Sequence, residues 1–183
     1  CYKNIDYSNQ KTKIKGGKSY VILRNVFREI SNKKINKESS KILVTLGGSD
    51  YRNLLKIIVN LSQDFPELQW TIINPENKKL ERLMPKTILL KTIDSESMAS
   101  LMLDSDIVIS GCGQTLNELV SIGTPTIGIC IDDDQVCNQN YFFENKFLNR
   151  KNFWNDSHLK TKLKIQINEL LKYANRKGIF KNS

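Results

Sequence analysis

The chain has 183 residues, 39% hydrophobic and 26% charged, enough for one domain with a sizeable core plus attached arms, and no apolar run approaches the roughly 20 residues that span a bilayer. A single histidine, His158, and four cysteines without a CxxC pair (Cys1, Cys112, Cys130, Cys137) exclude the usual zinc arrangements and read as reduced thiols of a cytoplasmic protein. The net charge of +9 sits in the flanks, with ten Lys/Arg against three Asp/Glu over residues 1–40, eight against fourteen over 41–145 and ten against two over 146–183; basic arms of this kind exclude a nucleic-acid reader, which interleaves aromatics with its cations on one face.

Residues 1–40 read as a linker and lead-in from a domain that is missing here, with Gly16-Gly17 as a flexible point. Lys3 to Lys18 holds no apolar stretch of the kind a secretory signal carries. The chain opens on Cys1 rather than Met, as a piece of a longer protein would. From Lys41 the pattern becomes regular. Ile42 to Leu46 predicts a strand ending at Gly47-Gly48, and apolar residues at 54, 55, 57, 58 and 61 predict a helix over 51–63. Trp70 to Ile73 predicts a second strand, followed by a short helix around 78–83. Ile88-Leu89-Leu90 reads as a third strand, Met98 to Leu103 as a helix and Ile107-Val108-Ile109 as a fourth strand. Gln114 to Ile122 reads as a helix, Thr126 to Cys130 as a fifth strand and Gln135 to Asn145 as a helix. Residues 146–183 supply a loop and a Lys-rich amphipathic helix over 158–173. Strands that are apolar throughout and alternate with helices imply an α/β fold, a Rossmann-like doubly wound parallel sheet over 41–145. The loops at 47–50, 91–95, 110–114 and 131–135 then open on one edge, where ligands of such folds bind.

Two of these loops are rich in glycine. Gly47-Gly48-Ser49-Asp50 reads equally as a phosphate-binding turn or as a tight strand-to-helix turn. Ser110-Gly111-Cys112-Gly113 repeats the arrangement, and the helix after it opens on Gln114-Thr115, whose N–H groups suit a diphosphate. Glu118 lies one turn further, placed either to accept from a ribose diol or to sit in solvent. A dinucleotide fold is the competing reading, with acids at 132–134 about twenty residues on, but it fits less well because its third glycine falls at Leu116 and the turn follows the fourth strand rather than the first. No Gly-Lys-Ser/Thr loop occurs. Asp132-Asp133-Asp134-Gln135 suits a helix cap, sugar contacts from Asp134 and Gln135, or, least well, a divalent metal. No metal and no cofactor are expected. The basic arms fit solvated lysines first, and contact with an anionic lipid surface or a partner domain second.

The segment from Asp106 through Ser110-Gly111-Cys112-Gly113, Thr115-Leu116-x-Glu118-Leu119 and Gly123-Thr124-Pro125-Thr126 resembles the nucleotide signature of the family 28 glycosyltransferases. Lys41 to Asp50 is similar to the opening strand and Gly-Gly-Ser turn of the same domain. Gly17-x-x-Tyr20-x-x-Leu23-Arg24-x-x-Phe27 resembles a narrower group, which holds the UDP-sugar hydrolase of pseudaminic acid synthesis and spore-coat polysaccharide proteins. The resemblance implies the C-terminal half of a GT-B fold that binds UDP or a UDP-sugar. It implies nucleotide contacts at Gly47, Gly48, Ser49, Gly111, Cys112, Gly113, Gln114, Thr115 and Glu118, with Glu118 on the ribose and uracil near 91–95. Sugar contacts would come from Asp50, Asp134 and Gln135. The general base is expected in the missing N-terminal half, with Asp134 as a candidate contributor, so the fragment alone is expected to be inactive. The narrower group has Asn where this chain has Asp134, an acceptor where an amide would also donate. A transferase and a non-catalytic nucleotide-binding module are the competing functions.

Overall fold

The computed structural model describes residues 21–30 and 33–180. The elements in chain order are α1 (Val26–Glu29), β1 (Lys41–Thr45), α2 (Leu54–Ser62), β2 (Gln69–Ile73), β3 (Thr87–Leu90), α3 (Ser95–Asp104), β4 (Ile107–Gly111), α4 (Gln114–Ile122) and β5 (Thr126–Ile129). A one-turn 3-10 helix (Asp133–Gln135) leads into α5 (Val136–Glu144), and α6 (Leu159–Leu170) and α7 (Tyr173–Phe180) close the chain. All five strands are parallel, in the order β3-β2-β1-β4-β5. Strand order therefore reverses between β1 and β4, which places the ligand crevice of such a sheet at their carboxyl ends.

Successive strand residues point to opposite faces, and each face carries its own core. Ile42 and Val44 of β1 join α2, Phe142, Phe147 and α6 on one side. Leu43 between them joins Ala99, Met102, Leu119 and Ile122 on the other. Phe27 of α1, only 2% exposed, is seated in that second core. The lead-in thus contributes to the packing, as do Leu159, Leu163, Ile167, Leu170 and Ile179 near the C-terminus. Gly16-Gly17 lies outside the described residues.

All five predicted strands form. The helix expected around 78–83 does not. Asn74 accepts the Lys78 N–H through Oδ1 (3.1 Å) and donates through Nδ2 to the Lys78 carbonyl (2.8 Å), which closes a loop instead. Asn77 and Arg82 then take positive φ (50° and 58°), and so short a helix lacks the hydrogen bonds to recover its nucleation cost. The helix expected from Tyr51 starts at Leu54, because Asn53 is left-handed at φ 56°.

Cys112 and Cys130 are buried and Cys137 is exposed. Burial pushes the Cys112 thiol up to about 12 and the Cys130 thiol up to about 11. A raised thiol pKa removes thiolate, the reactive form, at every lower pH. At about pH 8 a disulfide reagent is expected to label Cys137 and leave Cys112 and Cys130 unlabelled until the protein unfolds, as mapped by mass spectrometry. Fast labelling of Cys112 in the native protein would contradict this packing.

Candidate functional site at the carboxyl edge of β1 and β4

The turn after β1 is open. A Cβ on Gly47 or Gly48 would meet nothing within 4 Å, and Gly47 has φ 105°, a conformation that favours glycine. Ser49 is half-buried beside them. Asp50 departs from the expected sugar contact. It is 4% exposed, and its carboxylate accepts the N–H groups of Leu54 (2.7 Å) and Leu55 (3.2 Å), capping α2. Lys78 adds a charge at 3.7 Å, and Glu76 accepts both from Lys78 (2.9 Å) and from the Asp50 N–H (3.2 Å). Lys78 holds the Glu76 carboxyl below its usual range. A sugar hydroxyl on Asp50 would have to displace this cap.

The turn after β4 is tightly held from below. A Cβ on Gly111 would meet Ile131 Cδ1 at 2.8 Å and the Leu46 carbonyl oxygen at 3.3 Å, so a larger residue there would have to push the Ile131 side chain aside and crowd the Leu46 backbone. The Cys112 N–H is spent on the Ile129 carbonyl (3.0 Å) and Gln135 Oε1 (3.1 Å), which removes it from the expected nucleotide donors. Gln135 Oε1 also accepts from the Ile131 N–H (3.1 Å). Asn138, which the sequence reading passed over, donates to the carbonyls of Cys112 (2.8 Å) and Gly113 (3.1 Å). Gln135 and Asn138 thus hold the turn in place, with the Gln135 amide nitrogen lying 3.5 Å from where a Cβ on Gly113 would stand. Asp134 is exposed and has no partner among the described residues.

Among the described residues four helical segments begin at this edge, and three carry an acid at or before the start. Asp50 caps α2, Asp94 accepts the Ser97 N–H (2.7 Å) at α3, and Asp132 accepts the Asp133 N–H (2.9 Å) before α5. Helix α4 begins at Gly113 with no side-chain cap and no acid in its first turn. Among the described residues nothing accepts the N–H groups of Gly113, Gln114 and Thr115. A helix start with free donors and positive partial charge suits an anion.

Glu118 is 2% exposed, and both carboxylate oxygens are held by Arg24, Nε on Oε1 at 2.7 Å and Nη2 on Oε2 at 2.8 Å. Gln114 donates through Nε2 to the Ile22 carbonyl, so the lead-in lies against the start of α4. A second unforeseen contact joins the loops after β1 and β5. The Tyr51 hydroxyl donates to Asp132 (2.7 Å), and Arg52 reaches Asp132 (3.5 Å) and the Ile131 carbonyl (3.3 Å) while stacking on Trp154 (3.8 Å). The Tyr51 hydroxyl holds the Asp132 carboxyl below its usual range. Asp132 is therefore both cap and clasp, and the described residues contain no metal-binding cluster.

His158 is exposed at the start of α6. The lysines of α6 face acids of this same chain, Lys160 and Lys164 on Asp64 (3.4 Å each) and Lys162 on Asp156. Internal pairing accounts for much of that basic arm. No helix among the described residues is long and apolar enough to cross a membrane.

A five-stranded parallel sheet with helices on both faces and two glycine-rich turns at its switch point defines a Rossmann-like domain of the GT-B type. The chain belongs to the glycosyltransferase family 28 C-terminal domains, which match residues 16–182. It is 33% identical over 116 residues to the pseudaminic acid cytidylyltransferase and UDP-2,4-diacetamido-2,4,6-trideoxy-beta-L-altropyranose hydrolase of Helicobacter pylori, covering 63% of this chain and 22% of that protein. It is 28% identical over 130 residues to the spore coat polysaccharide biosynthesis protein SpsG of Bacillus subtilis, covering 66% of this chain and 38% of that protein. The chain therefore spans well under half the length of these curated relatives. Among solved structures, the glycotransferase of kitacinnamycin matches with a TM-score of 0.65 at 14% identity, over 84% of this chain and 42% of that one. That likeness is one of fold.

Proposed function

We propose that the chain is the UDP-sugar-binding half of a nucleotide-sugar hydrolase that serves bacterial surface-sugar synthesis of the pseudaminic acid kind. The observation that carries this reading is the acid-free start of α4 at the switch point, with the N–H groups of Gly113, Gln114 and Thr115 unpartnered among the described residues. A diphosphate there would accept from these groups, which strengthen as charge develops on the leaving UDP. Gly47, Gly48 and Ser49 would face it across the cleft, and Glu118 would hold the ribose diol. Asp134 and the Gln135 amide nitrogen would lie on the sugar side, while the base that activates water would come from a second domain. The Helicobacter pylori relative, whose name includes a UDP-sugar hydrolase, supports this choice. The family and the glycosyltransferase neighbours support transfer of the sugar to an acceptor as the second reading.

Calorimetric titration of the chain with UDP, UDP-sugars and NAD tests the nucleotide claim. UDP and UDP-sugars are expected to bind while NAD does not. Binding of NAD without UDP would reverse the assignment.

A further inference from the structure

The carboxylate proposed to hold the ribose is closed off in this structure. Glu118 is 2% exposed, and Arg24 covers both of its oxygens through a two-pronged contact at 2.7 and 2.8 Å. A ribose diol would need the same oxygens and the same space. We infer that residues 21–25 form a strap over Glu118 which must lift before a nucleotide ribose can reach it, so that Arg24 sets the apparent affinity of the site. This inference rests on the UDP reading of Glu118.

Three features suit the segment to this work. It lies on the site itself, since the Ile22 carbonyl accepts from the Gln114 side chain at the start of α4. Beyond those contacts it is held mainly by Leu23, which packs against the second core, while Ile22 is 80% exposed and the Arg24 side chain 47%. Its anchor lies just behind it, because Phe27 is buried between α3 and α4 in the second core. Lifting residues 21–25 gives up the packing of Leu23 and the bonds from the Phe27 and Arg28 N–H groups to the Arg24 and Asn25 carbonyls, while the Phe27 ring keeps its seat in the core. The Arg24 guanidinium also sits 5.0 Å over the Phe27 ring, a resting place that remains when Glu118 is given up. Arg24 is half exposed and can return to water, while ribose hydroxyls would take its place on the buried Glu118 carboxylate, so that the carboxylate is never left without donors.

The expected consequence follows from the population of the open form, because apparent affinity falls by the fraction of molecules able to bind. Arg24→Ala is expected to tighten UDP binding about tenfold in calorimetry, with Arg24→Lys, which keeps the charge and loses the fork, falling in between. In the unmodified chain UDP is expected to speed hydrogen exchange at the amides of residues 21–25. Equal or weaker UDP binding by Arg24→Ala, or slower exchange at 21–25 with UDP, would overturn the strap and leave the nucleotide reading standing. If neither the unmodified chain nor Arg24→Ala binds UDP at millimolar concentration, the nucleotide reading fails and the strap with it. Thermal unfolding of both variants beside the unmodified chain separates these outcomes from misfolding.

Discussion

Arg176→Ala is expected to lower stability by about 3–4 kcal/mol, the largest loss foreseen for a single substitution in this chain. The Arg176 side chain is fully buried. Nη1 donates to the carbonyls of Leu170 (2.5 Å) and Leu171 (2.8 Å), and Nη2 to those of Asn36 (2.8 Å) and Lys37 (3.1 Å). One guanidinium thus satisfies the orphan carbonyls at the end of α6 and fastens the segment that leads into β1. Alanine would leave these acceptors without their donor and open a void behind them. Lysine offers one ammonium in place of a planar fork and is expected to recover less than half of the loss. Urea unfolding at neutral pH measures both, and a change below about 1 kcal/mol for alanine would show that water or backbone shifts replace the guanidinium.

Glu118→Ala is expected to weaken UDP binding by about tenfold or more. Hydrogen bonds from two ribose hydroxyls to an ionised carboxylate are among the stronger neutral-to-charged contacts, and their loss alone would cost more than tenfold. Removing Glu118 also frees Arg24, which cancels part of that loss because the strap no longer competes. The variant should keep its fold, since Glu118 has Arg24 as its side-chain partner and alanine is well tolerated at that position of a helix. Unchanged UDP affinity in calorimetry would remove Glu118 from the ribose and reduce it to a partner of Arg24.

The sheet was legible because its signal is local. Runs such as Ile42 to Leu46 and Ile107 to Ile109 are buried on both faces, and a strand of that kind needs no alternation to be recognised. The glycine turns were legible for the same reason, each lying directly at a strand's end. What escaped was set by distant partners. Arg24 and Glu118 are 94 positions apart, and nothing local distinguishes a glutamate awaiting a ligand from one already engaged. Arg24 did stand in the Leu23-Arg24-x-x-Phe27 run, so its place was marked although its partner was not. Asp50 lies three residues before the N-cap Asn53, outside the position where a capping acid is read from sequence, and still accepts the first helical N–H groups because the chain folds back on itself. The loop at 74–78 turned on side-chain bonds from Asn74, which hydropathy patterns do not register.

UDP is expected at the carboxyl edge of β1 and β4. Amide spectra of the isotope-labelled chain, recorded as UDP is added, test it most directly. The largest shifts are expected at Gly47, Gly48, Ser49, Gly113, Gln114 and Thr115, and at Arg24 and Glu118 as the strap lifts. Saturable shifts confined to another part of the molecule, or shifts with NAD and none with UDP, would contradict it.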